Sequence, residues 1–192
     1  EADWIIEVVV ELLEIKKKIF ESVEKYRKPG SLVTSNTSSI PISILAKDRS
    51  DDFKKHFCGT HFFNPPRYMR LLEIIPSDDS KLEIIDFFME FGSNILGKQT
   101  VLCKDTTAFI ANRIGVMSGC KIFELTEKYD MTIEEVDAIT GTLIGRPNSA
   151  SYRLQDLVGL DTSDKVTNFV VENAKGDTFF KNVGETPTPK FF

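Results

Sequence analysis

Short β-branched runs alternate with amphipathic helical stretches along the first half of the sequence, and this alternation constrains the fold more than any other feature. The run Trp4–Val10 is apolar and β-branched, as in a strand that is buried on both faces. Residues 12–28 follow it with an apolar stripe at helical spacing that ends at Pro29-Gly30. Residues 32–35 then form a second strand-like run. Such strand–helix–strand alternation indicates an α/β domain with a mainly parallel sheet.

The same pattern continues to about residue 105. Further strands are predicted at residues 57–63, 71–75 and 101–103. The sequence Ser80-Lys81-Leu82-Glu83 has the form of a capping box and predicts a helix that ends near Gly92. Ser39 is a candidate cap for a short helix with Pro41 in its first turn. We therefore expect five strands with helices between them.

After about residue 105 the pattern changes to helices alone. The predicted helices are Phe109–Leu125, residues 132–143, which a capping box at Thr132 opens, and residues 164–174. The remaining residues, 176–192, lack periodicity and are predicted to be loop. We thus expect an α/β domain over residues 1–105, followed by an all-α domain over residues 106–192.

Composition and charge exclude several classes of protein. A hydrophobic fraction of 41% and a charged fraction of 28% exclude a disordered chain. A net charge of −5 excludes the basic surface that a nucleic-acid-binding protein needs. No apolar run approaches the ~20 residues of a membrane span, so we expect no membrane partner. Three widely spaced cysteines (Cys58, Cys103 and Cys120) indicate reduced thiols and a cytoplasmic location.

Two residues are candidates for acid–base chemistry. His61 lies where a predicted strand runs into the turn Asn64-Pro65-Pro66, and ligands gather at the carboxyl ends of strands in α/β sheets. A histidine there can take a proton from a substrate hydroxyl. Glu73 lies in the apolar run 71–75, where a carboxylate needs a partner such as a histidine on a neighbouring strand. A packed histidine bonded to a carbonyl and an edge-strand glutamate facing water remain the alternatives.

The polar run Asn36-Thr37-Ser38-Ser39 follows the second strand. Its side chains could bind a substrate oxygen or a cofactor, or could serve only as turn and helix-cap residues. Two histidines and scattered cysteines form no metal-ligand pattern, so we predict no metal site. The sequence contains no G-x-G-x-x-G loop for binding phosphates.

Five segments, taken in order and spacing, carry a resemblance that none of them carries alone. They are Glu7–Glu11 with Lys16, Ser35–Ser39, His61–Pro65 with Glu73, Cys103–Thr106 with Phe109–Arg113, and Gly145–Pro147 with Asp156–Thr162. Together they resemble the 3-hydroxyacyl-CoA dehydrogenase family of β-oxidation, from residue 1 to about residue 173. The similarity is greatest to the dehydrogenase part of large bacterial fatty-oxidation proteins.

The resemblance implies NAD-dependent oxidation of 3-hydroxyacyl-CoA to 3-ketoacyl-CoA. It makes His61 the general base that removes the hydroxyl proton and Glu73 the residue that orients this histidine. It also implies that Ser38 hydrogen-bonds the reacting oxygen and that Asn112 helps to bind the acyl-CoA substrate.

The same resemblance implies an NAD site and a fold. Glu11, Lys16, Ser38 and Asn64 would lie near the cofactor. The implied fold is a Rossmann-like domain with a parallel sheet, followed by a helical domain through which members of the family form homodimers.

The resemblance also leads to expectations about what the chain lacks. The chain has no initiating Met and begins close to an apolar run. The family's glycine fingerprint would precede residue 1. We therefore expect a fragment without the N-terminal nucleotide-binding half, with little activity on its own. Ala108 stands where the family usually has glycine. Two other functions remain open: a non-catalytic, dimer-forming relative, and a 3-hydroxy-acid dehydrogenase that does not use CoA.

Overall fold

A computed structural model describes residues 2–174 and 176–183. The chain divides into two compact units, Glu1–Ile110 and Ala111–Phe192. The first unit contains five strands and four helices, and the elements of the second are helical throughout its described residues. The predicted change from α/β to all-α is thus present in the structure.

The five strands of the first unit form one sheet in the order β1-β2-β3-β4-β5. They are β1 Trp4–Glu7, β2 Leu32–Ser35, β3 Phe57–Phe62, β4 Leu71–Pro76 and β5 Gln99–Leu102. All neighbours are parallel except β3 and β4, which are antiparallel. Because β4 runs against β3, the start of β4 lies beside the carboxyl end of β3.

Helices cover both faces of this sheet. They are α1 Leu13–Tyr26, α2 Ile42–Ala46, α3 Asp51–Lys55 and α4 Leu82–Asn94. Successive strand residues point to opposite faces: Phe57 packs in one core with Phe20 and Phe53, and Cys58 packs in the other with Phe88. The aromatic rings of the first core lie 5.0 to 5.7 Å apart, so this core is rich in phenylalanine.

The second unit contains four helices among its described residues. They are α5 Ala111–Lys128, α6 Ile133–Thr140, α7 Tyr152–Val158 and α8 Leu160–Asn173. The predicted capping box is confirmed, because Thr132 and Glu135 each accept a hydrogen bond from the other's backbone N–H. No helix within the described ranges is both long enough and apolar enough to cross a membrane.

Two predicted elements of this unit differ from the prediction in the structure. The helix predicted at residues 164–174 begins at Leu160, and the short helix α7, which the sequence pattern did not predict, precedes it. Gly159 separates the two helices with a φ of 96°, which glycine adopts without steric cost. Of the tail predicted as loop, Phe180–Asn182 forms a 3-10 turn, and residues 184–192 lie outside the described residues.

Two predicted helix caps are wrong, because tertiary contacts take the hydroxyl groups. Ser80 is not the N-cap of α4, which is Lys81; the Ser80 hydroxyl donates instead to the Phe57 carbonyl at 2.6 Å. Ser39 is not the N-cap of α2 either, which is Pro41; its hydroxyl donates to Glu11 at 2.9 Å. Both groups lie close in sequence to a helix start but bond across the fold.

The first strand is shorter than predicted. It ends at Glu7 rather than at Val10, because the Glu7 carboxylate accepts the Val9 N–H at 2.7 Å and the chain leaves the sheet there. Val8 and Val10 are consequently 70% and 57% exposed. The buried strand residue is an acid, and exposed valines follow it.

Candidate active site

A histidine–carboxylate pair lies between the two antiparallel strands. His61 of β3 is directly opposite Glu73 of β4, and its Nδ1 is 2.7 Å from the Glu73 Oε2. Both side chains are buried, at 4% and 0% exposure. Glu73 therefore does not face water from an edge strand, and the predicted pairing is confirmed.

The partner atoms determine which nitrogen of His61 carries a proton. An ionised carboxylate only accepts hydrogen bonds, so the Nδ1 of His61 must donate to Glu73. In the neutral ring Nε2 then holds the lone pair and can accept a proton. The second carboxylate oxygen of Glu73 accepts the Ile110 N–H at 3.1 Å. Backbone and histidine together thus stabilise a buried charge that would otherwise be costly.

Aromatic rings surround this pair. The Phe63 ring centroid lies 4.4 Å from that of His61, and the Phe109 ring centroid lies 5.8 Å from it. Phe109 is 2% exposed. Apolar rings at these distances restrict the imidazole and reduce the access of water to its hydrogen bond with Glu73.

The polar loop after β2 reaches the same edge of the sheet. Asn36 accepts the backbone N–H of Phe62, the residue after His61, with its side-chain oxygen at 2.9 Å. This bond places residues 36–39, the Ser38 loop, beside the carboxyl end of β3. The structure therefore brings Ser38 and the histidine–carboxylate pair to one edge of the sheet.

A polar network joins that loop to the segment after β1. Glu11 accepts hydrogen bonds from the backbone N–H groups of Ser38 at 3.0 Å and Ser39 at 3.1 Å. The Lys16 ammonium contacts the Glu11 carboxylate at 3.1 Å and the Glu7 carboxylate at 2.9 Å. Because Lys16 is only 1% exposed, its charge balances the buried Glu7 and the partly exposed Glu11 rather than meeting solvent.

The electrostatics of Glu11 follow from these contacts. Burial raises the pKa of its carboxyl group, but the hydrogen bond from Thr37 and the charge of Lys16 lower it more. The resulting pKa lies below the usual glutamate value. Glu11 is thus a partly exposed anion held beside the Ser38 loop.

The other two predicted site residues lie elsewhere along the chain. Asn64 is exposed and is the second residue of the connection between β3 and β4, where a cis peptide bond joins it to Pro65. Asn112 is the second residue of α5, in the second compact unit. Within the described ranges, no group of three or more histidine, cysteine, aspartate or glutamate side chains could hold a metal ion.

Sequence reasoning missed one buried acid and one aspartate near this edge. Glu7 interrupts an apolar β-branched run, which is the same signal that identified Glu73. It is 3% exposed and binds Lys16 and Ser35. Asp105 binds two backbone N–H groups of α2, and nothing in the local sequence predicts this contact because the partners are 63 and 62 residues away.

The residues present fit one end of an NAD molecule. A nicotinamide group needs apolar surface and a few hydrogen-bonding partners; the exposed Val8 and Val10 offer the first, and Glu11 and Ser38 the second. The sequence contains no G-x-G-x-x-G, so we assign no residue to the phosphates.

The first unit is a Rossmann-like mixed sheet with a buried histidine–carboxylate pair near the carboxyl end of β3, and a helical unit follows it. This is the arrangement of a two-domain dehydrogenase. Family models agree: residues 1–106 match the NAD binding domain of 3-hydroxyacyl-CoA dehydrogenase, and residues 109–187 match its C-terminal domain. The chain belongs to the 3-hydroxyacyl-CoA dehydrogenase family.

Curated relatives and solved structures support this assignment. A probable 3-hydroxyacyl-CoA dehydrogenase of Bacillus subtilis is 55% identical over 177 residues, which cover 92% of this chain and 22% of the relative. One from Deinococcus radiodurans is 44% identical over 84% of this chain and 46% of its own length. The crystal structure of Escherichia coli 3-hydroxybutyryl-CoA dehydrogenase superposes with a TM-score of 0.81 at 30% identity, over 93% of this chain and 37% of that one.

One expectation about the extent of the chain is wrong. We expected the nucleotide-binding half to be missing and only the later part of the Rossmann-like domain to be present. The match of the NAD binding domain model to residues 1–106 shows that both domains of the family are represented. The chain nevertheless spans 22% and 46% of the length of the two curated relatives described above.

Proposed function

We propose that this chain carries the acid–base site of an NAD-dependent enzyme that oxidises 3-hydroxyacyl-CoA to 3-ketoacyl-CoA in fatty-acid β-oxidation. The observation that carries the proposal is the buried pair of His61 and Glu73, joined at 2.7 Å beside the Ser38 loop. Membership of the 3-hydroxyacyl-CoA dehydrogenase family supports it.

The proposed reaction begins at His61. Its Nε2 accepts the proton of the substrate's 3-hydroxyl group, and the adjacent Glu73 carboxylate stabilises the imidazolium that forms. Ser38 hydrogen-bonds the reacting oxygen while the C–O bond becomes a carbonyl. NAD, when bound, supplies the acceptor for the hydride that leaves carbon 3. The proton and the hydride together account for the two-electron oxidation.

We assign the cofactor contacts to the edge that carries these residues. Glu11 and Ser38 would bind the nicotinamide end directly, and Asn64 would support the geometry there. Lys16 would act through Glu11, because its ammonium is buried between the Glu7 and Glu11 carboxylates. This role differs from the direct lining of the site that the family resemblance implies.

The helical unit is proposed to bind the acyl-CoA substrate through Asn112 and to form a homodimer. Its surface supports an interface between copies, since Leu143, Ile144 and Leu157 are 74%, 61% and 69% exposed. Exposed large apolar side chains indicate a protein–protein contact where they adjoin, as the consecutive Leu143 and Ile144 do.

The test follows NADH consumption by the protein produced from its complete coding sequence. With acetoacetyl-CoA we expect turnover that saturates with substrate, and with free acetoacetate none. Turnover of acetoacetate at the same rate would favour a 3-hydroxy-acid dehydrogenase that does not use CoA. Absence of turnover with both, in a protein that binds NADH, would favour a non-catalytic relative.

A further inference from the structure

The segment that follows β5, residues 105–110, contacts both halves of the proposed site. Its Ala108 N–H donates to the Ser39 carbonyl at 3.4 Å, and its Ile110 N–H donates to Glu73 at 3.1 Å. Phe109 lies between these two residues, with its ring 5.8 Å from that of His61. One short segment therefore touches the Ser38 loop on one side and the histidine–carboxylate pair on the other.

Asp105 fixes the start of this segment to α2, the helix that follows the Ser38 loop. Its Oδ1 accepts the Ile42 N–H at 2.6 Å, and its Oδ2 accepts the Ser43 N–H at 2.8 Å. The N-cap of α2 is Pro41, whose side chain makes no capping hydrogen bond. Asp105 thus supplies from a distant part of the sequence the cap that the local residues do not.

Two carboxylates consequently hold the Ser38 loop and the helix start that follows it. Glu11 binds the N–H groups of Ser38 and Ser39, and Asp105 binds those of Ile42 and Ser43 in α2. Each acid accepts at least two backbone donors. Loss of Glu11 would free the loop itself, and loss of Asp105 would free the start of α2.

The backbone of the segment is also held in a costly conformation. Ala108 and Phe109 have φ angles of 60° and 50°, in the left-handed region that residues with a β-carbon rarely adopt. Both residues are buried, at 0% and 2% exposure. Such conformations persist only where the surroundings determine them, and they cluster at functional sites.

We propose that the 105–110 segment positions the Ser38 loop against the His61–Glu73 pair, with Asp105 as its positioning residue. This inference rests on the proposed dehydrogenase function for its kinetic consequence. Asp105 touches neither substrate nor cofactor in this scheme. It acts through the loop that carries Ser38 and through the segment that ends at the Glu73 contact.

The principal variant is Asp105→Asn, which removes the charge and one of the two acceptor oxygens. The matched control is Asp51→Asn, which removes the same charge from the first turn of the equally short helix α3, where Ser50 is the cap. We expect Asp105→Asn to lower kcat about 10- to 100-fold with KM nearly unchanged, because misplaced catalytic groups reduce the rate of the chemical step. Asp51→Asn should leave both constants unchanged.

Two measurements that need no substrate accompany the kinetics. The ring ¹⁵N shifts of His61 report which nitrogen carries the proton, and His56 is an internal reference, since the chain has two histidines. Hydrogen exchange reports the amides of Ile42 and Ser43. Asp105→Asn should alter the His61 shifts and speed exchange at both amides, whereas the His56 shifts should not move.

Asp105→Glu keeps the charge and serves if Asp105→Asn does not fold. We expect its kcat to lie between those of the wild type and Asp105→Asn. Wild-type kcat together with unprotected Ile42 and Ser43 amides, in either variant, would overturn the proposal. An equal loss of kcat in Asp51→Asn would also overturn it. If the wild type itself has no dehydrogenase activity, the proposed function fails, and the His61 shifts then decide this inference alone.

Discussion

The two histidines of the chain stand at the two ends of β3, and each places its Nδ1 near a carboxylate. His56 precedes the strand; its Nδ1 is 2.7 Å from the Asp52 carbonyl oxygen and 3.3 Å from the Asp52 carboxylate, and the side chains are 14% and 46% exposed. His61 is near the other end, 2.7 Å from Glu73, and the side chains are 5% and 1% exposed. Both pairs join an imidazole to a carboxylate, but only the second pair is shielded from solvent, where its interaction is strong and specific.

The difference between the two pairs shows that the place of a histidine–carboxylate pair in the fold matters more than the pairing itself. Asp52 also contacts the Arg27 guanidinium and accepts the Gly30 N–H, so its half-exposed carboxylate shares its charge among several partners. Glu73 binds His61 and the Ile110 N–H inside the fold. The first arrangement stabilises a surface turn, and the second holds the imidazole as the proposed proton transfer requires.

Activity should separate the two histidines most sharply. We expect His61→Gln to lower kcat about 10²- to 10⁴-fold, because the general base is removed while glutamine can still fold into the site. His56→Gln should retain wild-type kcat. The measurement is steady-state NADH oxidation with acetoacetyl-CoA. Wild-type activity in His61→Gln would exclude the assigned role.

The next largest difference is expected between variants of the two carboxylates, Glu73 and Asp52. Glutamine at position 73 offers one acceptor oxygen to two buried donors, the His61 Nδ1–H and the Ile110 N–H, so one donor loses its partner. We expect Glu73→Gln to cost about 1–3 kcal/mol of unfolding free energy and about 10²-fold in kcat. Urea unfolding and kinetics measure the two effects. Asp52→Asn is the matched variant, and an equal loss of activity there would contradict the comparison.

Lowering the pH should remove the contribution of Asp52 to the free energy of unfolding. Its partial burial raises the pKa, but the Gly30 N–H and the Arg27 charge lower it more, so the folded pKa lies below the usual aspartate value of 3.8. Stability from this group is therefore complete above 3.8 and is lost as pH falls through the lower folded value. The difference in unfolding free energy between wild type and Asp52→Asn should be at most about 1 kcal/mol at pH ~7, since the Asp52 side chain is 46% exposed and solvent screens its charge.

The difference in unfolding free energy between wild type and Asp52→Asn should narrow as the pH falls toward and below the pKa of Asp52 in the unfolded chain. Urea unfolding of both proteins across this range provides the measurement. A difference that grows with acidity would show that the sign is wrong. His56→Gln, measured in the same series, separates the contribution of the histidine from that of Arg27.

The smallest expected effect concerns the thiols. Burial raises the pKa of Cys58 and Cys120, and burial together with the Glu73 charge raises that of Cys103 to about 12. Thiolate is the reactive form, so we expect no alkylation by iodoacetamide at neutral pH over several hours. Mass spectrometry measures labelling. Rapid modification of Cys103 would show that the segment beside Glu73 opens, which would weaken the contrast between the two carboxylates.

Much of the fold could be predicted because its signals are local. The β-branched run at β2 and the capping box at Thr132 correspond directly to the elements found. The pairing of His61 with Glu73 was also predictable, because a carboxylate inside an apolar strand needs a neighbouring partner.

The remainder depends on contacts between distant residues. The hydroxyl groups of Ser39 and Ser80 bond across the fold rather than to the adjacent helix, so the sequence pattern misassigned them as caps. The five-residue helix α3 and the seven-residue helix α7 are too short to show periodicity. Asp105 was missed because a cap supplied from 63 residues away leaves no trace in the sequence near α2.

The antiparallel direction of β4 has a consequence for how such a site can diversify. His61 and Glu73 lie 12 residues apart on one hairpin, and the ladder between β3 and β4 fixes their register. Residues 64–70 between them are exposed and form most of the connection beside the proposed site. That stretch can lengthen or change its chemistry without shifting the pair. Substrate preference can thus evolve in one stretch of the gene while the proposed proton-transfer pair is inherited intact on either side of it.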